Sequence, residues 1–197
     1  MISNKITPEE LWSRQQISCL DVDYNFWNKK REFLPELSQM TDSCVFTVDV
    51  FKNRYDFASD NYSGIFGYNS AWLRTIRKQG DMLEERIHPD DRAQLIEYQI
   101  EHGHFIYSRP QEERNDYQQV FQIRMLNARQ QYVNVISRQQ VYQKDKNGKA
   151  WIIIGIMDIS PDQNLCEKVR RTVISRKTGE IIVPLIVSNK KIRKYYP

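Results

Sequence analysis

The stretch Ala150-Trp151-Ile152-Ile153-Ile154-Gly155-Ile156-Met157-Asp158-Ile159 constrains the rest of the chain more than any other. It is a nearly unbroken apolar run, rich in branched residues, with Asn147-Gly148 before it and Ser160-Pro161 after it. Such a run reads as a strand buried on both faces, and therefore as the central strand of a sheet. The run 132–142 leads into it, and Lys144-Asp145-Lys146-Asn147-Gly148-Lys149 between the two has the Asn-Gly pair that supplies positive φ in a hairpin turn. Upstream, 117–127 alternates in the β manner, with Phe121, Ile123 and Met125 on one face and Gln122 and Arg124 on the other. From Tyr117 onward the chain is expected to form a three-strand antiparallel meander.

A chain of 197 residues with 40% hydrophobic and 27% charged residues is sized and composed for one main globular core. No apolar run approaches the roughly 20 residues of a membrane span. Met1-Ile2-Ser3-Asn4-Lys5-Ile6 has no apolar core of a signal peptide, so a soluble cytoplasmic chain without membrane contact is expected. Cys19, Cys44 and Cys166 are widely spaced and form no CxxC pair, which suits reduced, small apolar residues. The net charge of +4 is uneven: residues 166–197 hold nine Lys or Arg against two Glu, while the remainder is close to neutral.

Taken in order, Thr7-Pro8-Glu9-Glu10 is a capping-box helix start for a helix to about Gln16. From Asp23, Phe26, Phe33, Leu37 and Met40 fall along one helical stripe that Pro35 kinks or restarts. The stripe suits a helix docked on its own domain or a dimerisation helix, and both readings stay open. Residues 43–51 alternate, with Cys44, Phe46, Val48 and Val50 on one face; a turn at Lys52-Asn53 leads to a second short run at 54–59. Short helices are expected at 62–66 and 70–78. His88-Pro89-Asp90-Asp91-Arg92 then opens a stronger helix to about Gly103, with Leu95, Ile96 and Ile100 on its apolar side and His88 capping it. The order of elements implies an α+β domain over 42–160, after a helical extension at 1–41 and before a basic extension at 161–197, in which 173–176 and 180–187 could pair as a hairpin.

Five segments in this order resemble a PAS domain: Cys44-Val45-Phe46-Thr47-Val48-Asp49, then Tyr55-Asp56-Phe57-Ala58-Ser59-Asp60-Asn61, Ile65-Phe66-Gly67-Tyr68, Ile87-His88-Pro89-Asp90-Asp91-Arg92, and Ile154-Gly155-Ile156-Met157-Asp158-Ile159-Ser160. The resemblance implies a five-stranded antiparallel sheet of order 2-1-5-4-3, with short helices over one face around a small cavity. The whole chain, including Leu34-Pro35-Glu36-Leu37, is similar to the N-terminal sensory part of bacterial LuxR-type transcriptional regulators. That similarity implies a homodimer and a sensor for transcription regulation. DNA contact is expected only through a helix-turn-helix domain, which these 197 residues stop short of.

PAS relatives hold haem, flavin, small metabolites or nothing, and no cofactor is named by the sequence. No flavin-type reactive-Cys segment occurs, and His102-Gly103-His104 is the one plausible axial-ligand donor for haem, a pair that also suits ordinary surface residues. No phosphate loop, GxSxG or HExxH is present, and neighbouring Asp90 and Asp91 diverge on a helix, so neither catalysis nor a metal site is expected. Phe46, Val48, Phe57, Ile65, Phe66, Trp72, Phe121, Ile123, Val135 and Ile154 are the candidate pocket for a small ligand, or else a closed core. Asp158, directly after the apolar strand, is the candidate point where a signal leaves the domain. The chain thus reads as a sensory module with a C-terminal output, or as a ligand-free dimerisation and interaction module.

Overall fold

The structure, a computed structural model, describes residues 17–75, 85–164 and 168–182. Strand β1 (Cys44–Asp49) pairs on one side with β2 (Arg54–Ala58) and on the other with β5 (Ala150–Ile159). The far edge of β5 pairs with β4 (Tyr132–Lys144), and β4 with β3 (Tyr117–Leu126), all antiparallel. The order β2-β1-β5-β4-β3 is the one the family resemblance implies, with β5 at its centre. The sheet then continues past the expected five strands. β6 (Arg170–Ser175) pairs with β3, and β7 (Ile181–Ile182) with β6, giving seven strands. Part of the basic extension is therefore sheet: Val169 and Val173 are buried, and the open edge of β3 is covered rather than exposed to pairing with another chain.

Both faces of the sheet are covered. On one lie α1 (Tyr24–Lys30) and α2 (Leu34–Thr41), separated by a single 3-10 turn where Pro35 restarts the helix, as expected. They bury Trp27 and Leu34 against Val45, Trp151, Ile152 and Ile154. Charge and hydrogen bonds fix this layer: Trp27 Nε1 donates to Asp56 Oδ2 at 2.8 Å, Arg31 Nη1 donates to the same oxygen at 2.7 Å, and the Tyr24 hydroxyl donates to buried Asp49 at 2.7 Å. On the other face lie α3 (Asn61–Phe66), α4 (Ser70–Leu73) and α5 (Pro89–Tyr107). Among the described residues no helix is long and apolar enough to cross a membrane.

Local chemistry explains the turns and caps. Asp145 Oδ1 accepts from the amides of Asn147 and Lys149, and Gly148 takes φ +75°, which closes the β4–β5 hairpin. His88 caps α5 through Nδ1, which accepts from the Asp90 amide, with Pro89 at the first helical position. The expected helix at 7–16 and the residues 183–187 and Cys166 lie outside the described residues, as does the end of the expected 70–78 helix.

The central strand carries one position with no room for a side chain. Gly155 pairs directly with Phe46, whose ring lies where a Cβ would go, 2.1 Å from it. Gly155→Ala is therefore expected to overpack the core and cost about 1–3 kcal/mol in urea unfolding. On a Phe46→Leu background the cost should shrink, because the obstructing ring is gone. Equal costs in both backgrounds would show that Phe46 is not the obstacle.

Candidate functional site

The helix-covered face holds a cavity of about 120 Å³ between α5 and the sheet. Alternation along β3 turns Gln119, Phe121, Ile123 and Met125 inward, and β4 brings Ser137 and Gln139 beside them. β1 adds Phe46 and Val48, and β5 adds Ile153 and Met157. Opposite, Arg92, Leu95, Ile96, Gln99, His102 and Ile106 recur at helical spacing along α5 and form the roof.

Helix α5 is pinned at both ends while its middle spans this space. At its start, Asp91 accepts from the Arg124 amide at 3.0 Å and from Arg124 Nε at 3.1 Å, and forms an ion pair with Nη2, all buried or nearly so. The Ile87–Met125 bridge and the bond from the His88 amide to the Arg124 carbonyl add to this anchor. At its end, the Tyr107 hydroxyl accepts from the Ala150 amide at 3.1 Å. Along its flank, Gln94 Oε1 accepts from the Val169 amide at 3.1 Å, and Arg171 of β6 donates to Glu101 at 2.8 Å. Burial pushes the Glu101 carboxyl up and the Arg171 guanidinium down, each against the attraction of its partner.

The cavity is apolar for most of its surface. Gln119 is 2% exposed, and its Oε1 has no hydrogen-bond partner among the described residues; nor has the buried Nδ1 of His102. An unmet buried polar atom is costly and points to a use. Burial, and then the nearby Arg171 charge, push the His102 imidazole down to about 3, so it is neutral under ordinary conditions. Cys44, beneath the same face, is pushed up to about 12, by burial first and by Asp158 second, and stays a thiol. Among the described residues no three His, Cys, Asp or Glu side chains converge in a way that could hold a metal ion.

The structure brings together four of the ten candidate pocket residues at the cavity: Phe46, Val48, Phe121 and Ile123. Phe66 and Val135 are buried in the same core, with Ile65 packed against it, but they do not line the space. Three placements correct the expectation. Phe57 and Ile154 belong to the opposite face, against Trp27 and Leu34, because adjacent strand residues point to opposite sides and a doubly buried strand carries apolar residues on both. Trp72 is 38% exposed, on a one-turn helix that buries Leu73 instead. His102, read as an ordinary surface residue, faces the cavity; the signal for it lay in the three- and four-residue spacing from Leu95 through Gln99. Gln119 could likewise have been found as the residue two before Phe121, on the same inward face.

Asp158 is held by Arg138 Nη1 at 2.8 Å, both half-exposed. The segment after β5 is tied more tightly by buried Asn134, whose Nδ2 donates to the Asp162 and Asn164 carbonyls at 3.0 and 2.8 Å, while Gln163 and Asn134 exchange a further pair of bonds.

A 2-1-5-4-3 sheet, with the helices between β2 and β3 laid over one face and a cavity beneath them, decides the architecture. The described residues have the topology of a PAS fold. No family model matches the chain, and no curated protein does. Among solved structures it is similar to the N-terminal domain of a diguanylate cyclase with PAS/PAC sensor from Marinobacter aquaeolei, at 14% identity over 59% of this chain and 94% of that one, with a TM-score of 0.44. It is also similar to the PAS domain of BvgS from Bordetella pertussis, at 18% identity, 68% and 89% coverage and a TM-score of 0.44. A third similar structure is the dimer of VqmA, a LuxR-type receptor of Vibrio cholerae, at 12% identity, 68% and 52% coverage and a TM-score of 0.43.

The His102 environment has a measurable consequence. The unfolded chain takes up a proton at His102 near its ordinary 6.5, and the folded chain only near 3, so stability is fully present above 6.5 and falls as the pH drops from there towards 3. His102→Gln removes this component. The stability advantage of wild type over the variant should shrink below pH 6.5 by up to about 1.4 kcal/mol per pH unit, less the screening at the exposed edge of the ring. Urea unfolding of both proteins at pH 7 and pH 5 is the measurement; parallel pH profiles would place His102 in a solvated setting.

Proposed function

We propose that this PAS module is sensory: it binds a small molecule in the cavity under α5 and passes occupancy to a C-terminal output, in transcription regulation and without catalysis of its own. The observation that carries this reading is the cavity itself, which is closed enough to bury Gln119 and yet leaves two buried polar atoms unmatched. A core selected only for packing would fill such a space. The roof of the cavity is also joined to the C-terminal hairpin through Glu101–Arg171 and Gln94–Val169, and the exit from β5 is held by Asn134 and Asp158, so a change at α5 has short mechanical routes to the chain beyond β5.

The reading includes a cytoplasmic homodimer. Phe26 is 50% exposed, Met40 is 78% exposed and Phe33 is partly so, while Leu37 is half-buried; together they leave an apolar outer surface on helices whose inner surface is already docked by Trp27 and Leu34. Phe33 and Lys30 extend that surface to Tyr142 at 6.1 and 4.8 Å. An apolar surface of this kind is a docking face, and we assign it to a second copy of the chain. DNA contact is assigned to a helix-turn-helix domain outside these 197 residues. The exposed Phe26 and Met40 also favour a second reading, in which pairing of chains is the whole function and the cavity holds nothing.

Native mass spectrometry of the full chain separates the two. The sensor reading expects a dimer retaining a non-covalent small molecule, and a Phe26→Glu/Phe33→Glu variant that is monomeric and still folded. Dimers that are repeatedly empty, with no thermal stabilisation from a metabolite library, would leave only the pairing module. A variant that stays dimeric would move the interface elsewhere.

A further inference from the structure

The lining of the cavity restricts what it can hold, provided that it is a ligand site at all, as proposed above. Size comes first. A cavity of about 120 Å³ is somewhat smaller than the roughly 150 Å³ apolar cavity that accepts benzene, so the occupant is a single small ring or its equivalent.

Charge comes second. Among the described residues no Asp or Glu lines the cavity. Among the described lining residues only Arg92 carries a fixed charge, and it directs Nε to the Ile87 carbonyl at 3.1 Å and Nη2 to the Glu85 carbonyl at 2.8 Å, which draws its guanidinium towards the helix start. A cationic ligand would lose its hydration with no described carboxylate to replace it, and an anionic one would meet a guanidinium already drawn to two backbone carbonyls.

Hydrogen bonding comes third. On the sheet, Gln139 Nε2 already donates to Ser137 Oγ at 3.2 Å. Gln119, paired in register with Gln139 on one side and Val173 on the other, keeps an unmatched carbonyl oxygen at a position that is 2% exposed. An amide oxygen accepts and does not donate, so the complementary ligand atom is an N–H or O–H.

We propose that the cavity selects uncharged molecules of single-ring size that carry a hydrogen-bond donor, and that Gln119 Oε1 is the acceptor that reads the donor. The apolar walls from Phe46, Ile123, Met125, Met157 and Leu95 take the rest of the ring. Selection works through the penalty on the wrong ligand: a molecule of the same shape without a donor enters the cavity but leaves the Gln119 oxygen unmatched.

Three probes test this on the full chain: pyrrole, which donates; furan, which has the same size and shape and no donor; and pyrrole-2-carboxylate, which is charged and is compared with pyrrole-2-carboxamide, its neutral equal in size. The methyl groups of Met125 and Met157 line the cavity and report binding by carbon-13 NMR titration. Pyrrole should bind about five- to tenfold more tightly than furan, the size of one buried hydrogen bond, and the carboxylate should shift neither methyl. In Gln119→Met the two neutral probes should bind equally, with furan affinity unchanged. Equal binding of pyrrole and furan to the wild type, or binding of the carboxylate as tight as that of the carboxamide, overturns the assignment while leaving the cavity a ligand site. A pyrrole preference that survives in Gln119→Met removes Gln119 from the role. If none of the three probes moves either methyl, the cavity is closed, and the ligand reading falls together with this one.

Discussion

Strand β5 has no polar face, and a strand of that kind inside an antiparallel sheet needs cover on both sides. Ile152 and Ile154 point to one side, and Ile153 and Met157 to the other, so the sheet cannot stand with helices on a single face. The N-terminal helices supply the second cover. Trp27 and Leu34 take the apolar contact, and Asp56 and Asp49 receive the Trp27, Arg31 and Tyr24 donors. Burying a residue the size of Trp or Leu is worth about 1.5–3 kcal/mol, whereas the partly exposed Arg31–Asp56 pair contributes much less, so packing holds these helices on and the polar bonds set their position. What the sequence suggests as an extension is a layer of the domain.

The first face solves the same requirement differently. Helix α5 is tied at its start by Asp91–Arg124 and at its end by Tyr107–Ala150, and the strands beneath it carry Gln119, Ser137 and Gln139 where apolar residues would close the gap. A helix fixed at both ends cannot collapse onto small or polar residues under its middle, so space remains. The same helix is bonded on its flank to β6. Ligand space, roof and C-terminal hairpin are therefore consecutive parts of one packed unit, and the buried Arg171–Glu101 pair is the joint with the most to lose, since breaking it leaves a poorly solvated charge.

Most of the fold was legible because its signals are local. The β3–β4–β5 meander follows from alternation and an Asn-Gly turn, the start of α5 from His88-Pro89, and the break between α1 and α2 from Pro35. The cavity was half legible. Phe121 and Ile123 announce an inward face by alternation, but Phe57 and Ile154 sit on strands that are apolar on both sides, and nothing local says which side an apolar residue faces there. Gln119 was passed over because polarity reads as surface, and His102 was weighed only as a haem donor or a surface residue, while tertiary packing put both against the cavity. A β6–β7 hairpin was visible in the composition of the C-terminal segment; that it docks on β3 was not, since edge pairing is a long-range choice with no local mark.

Because α5 and β6 are joined by Glu101–Arg171 and Gln94–Val169, the two are expected to lose protection together. Native-state hydrogen exchange on the wild type and on Arg171→Met measures this directly. The account expects the substitution to speed exchange in residues 95–106 of α5 together with 170–175 of β6, while β1 and β5 keep their protection. Faster exchange confined to β6, with α5 unchanged, would contradict it and leave the Arg171–Glu101 joint without a part in passing a change at α5 to the C-terminal segment.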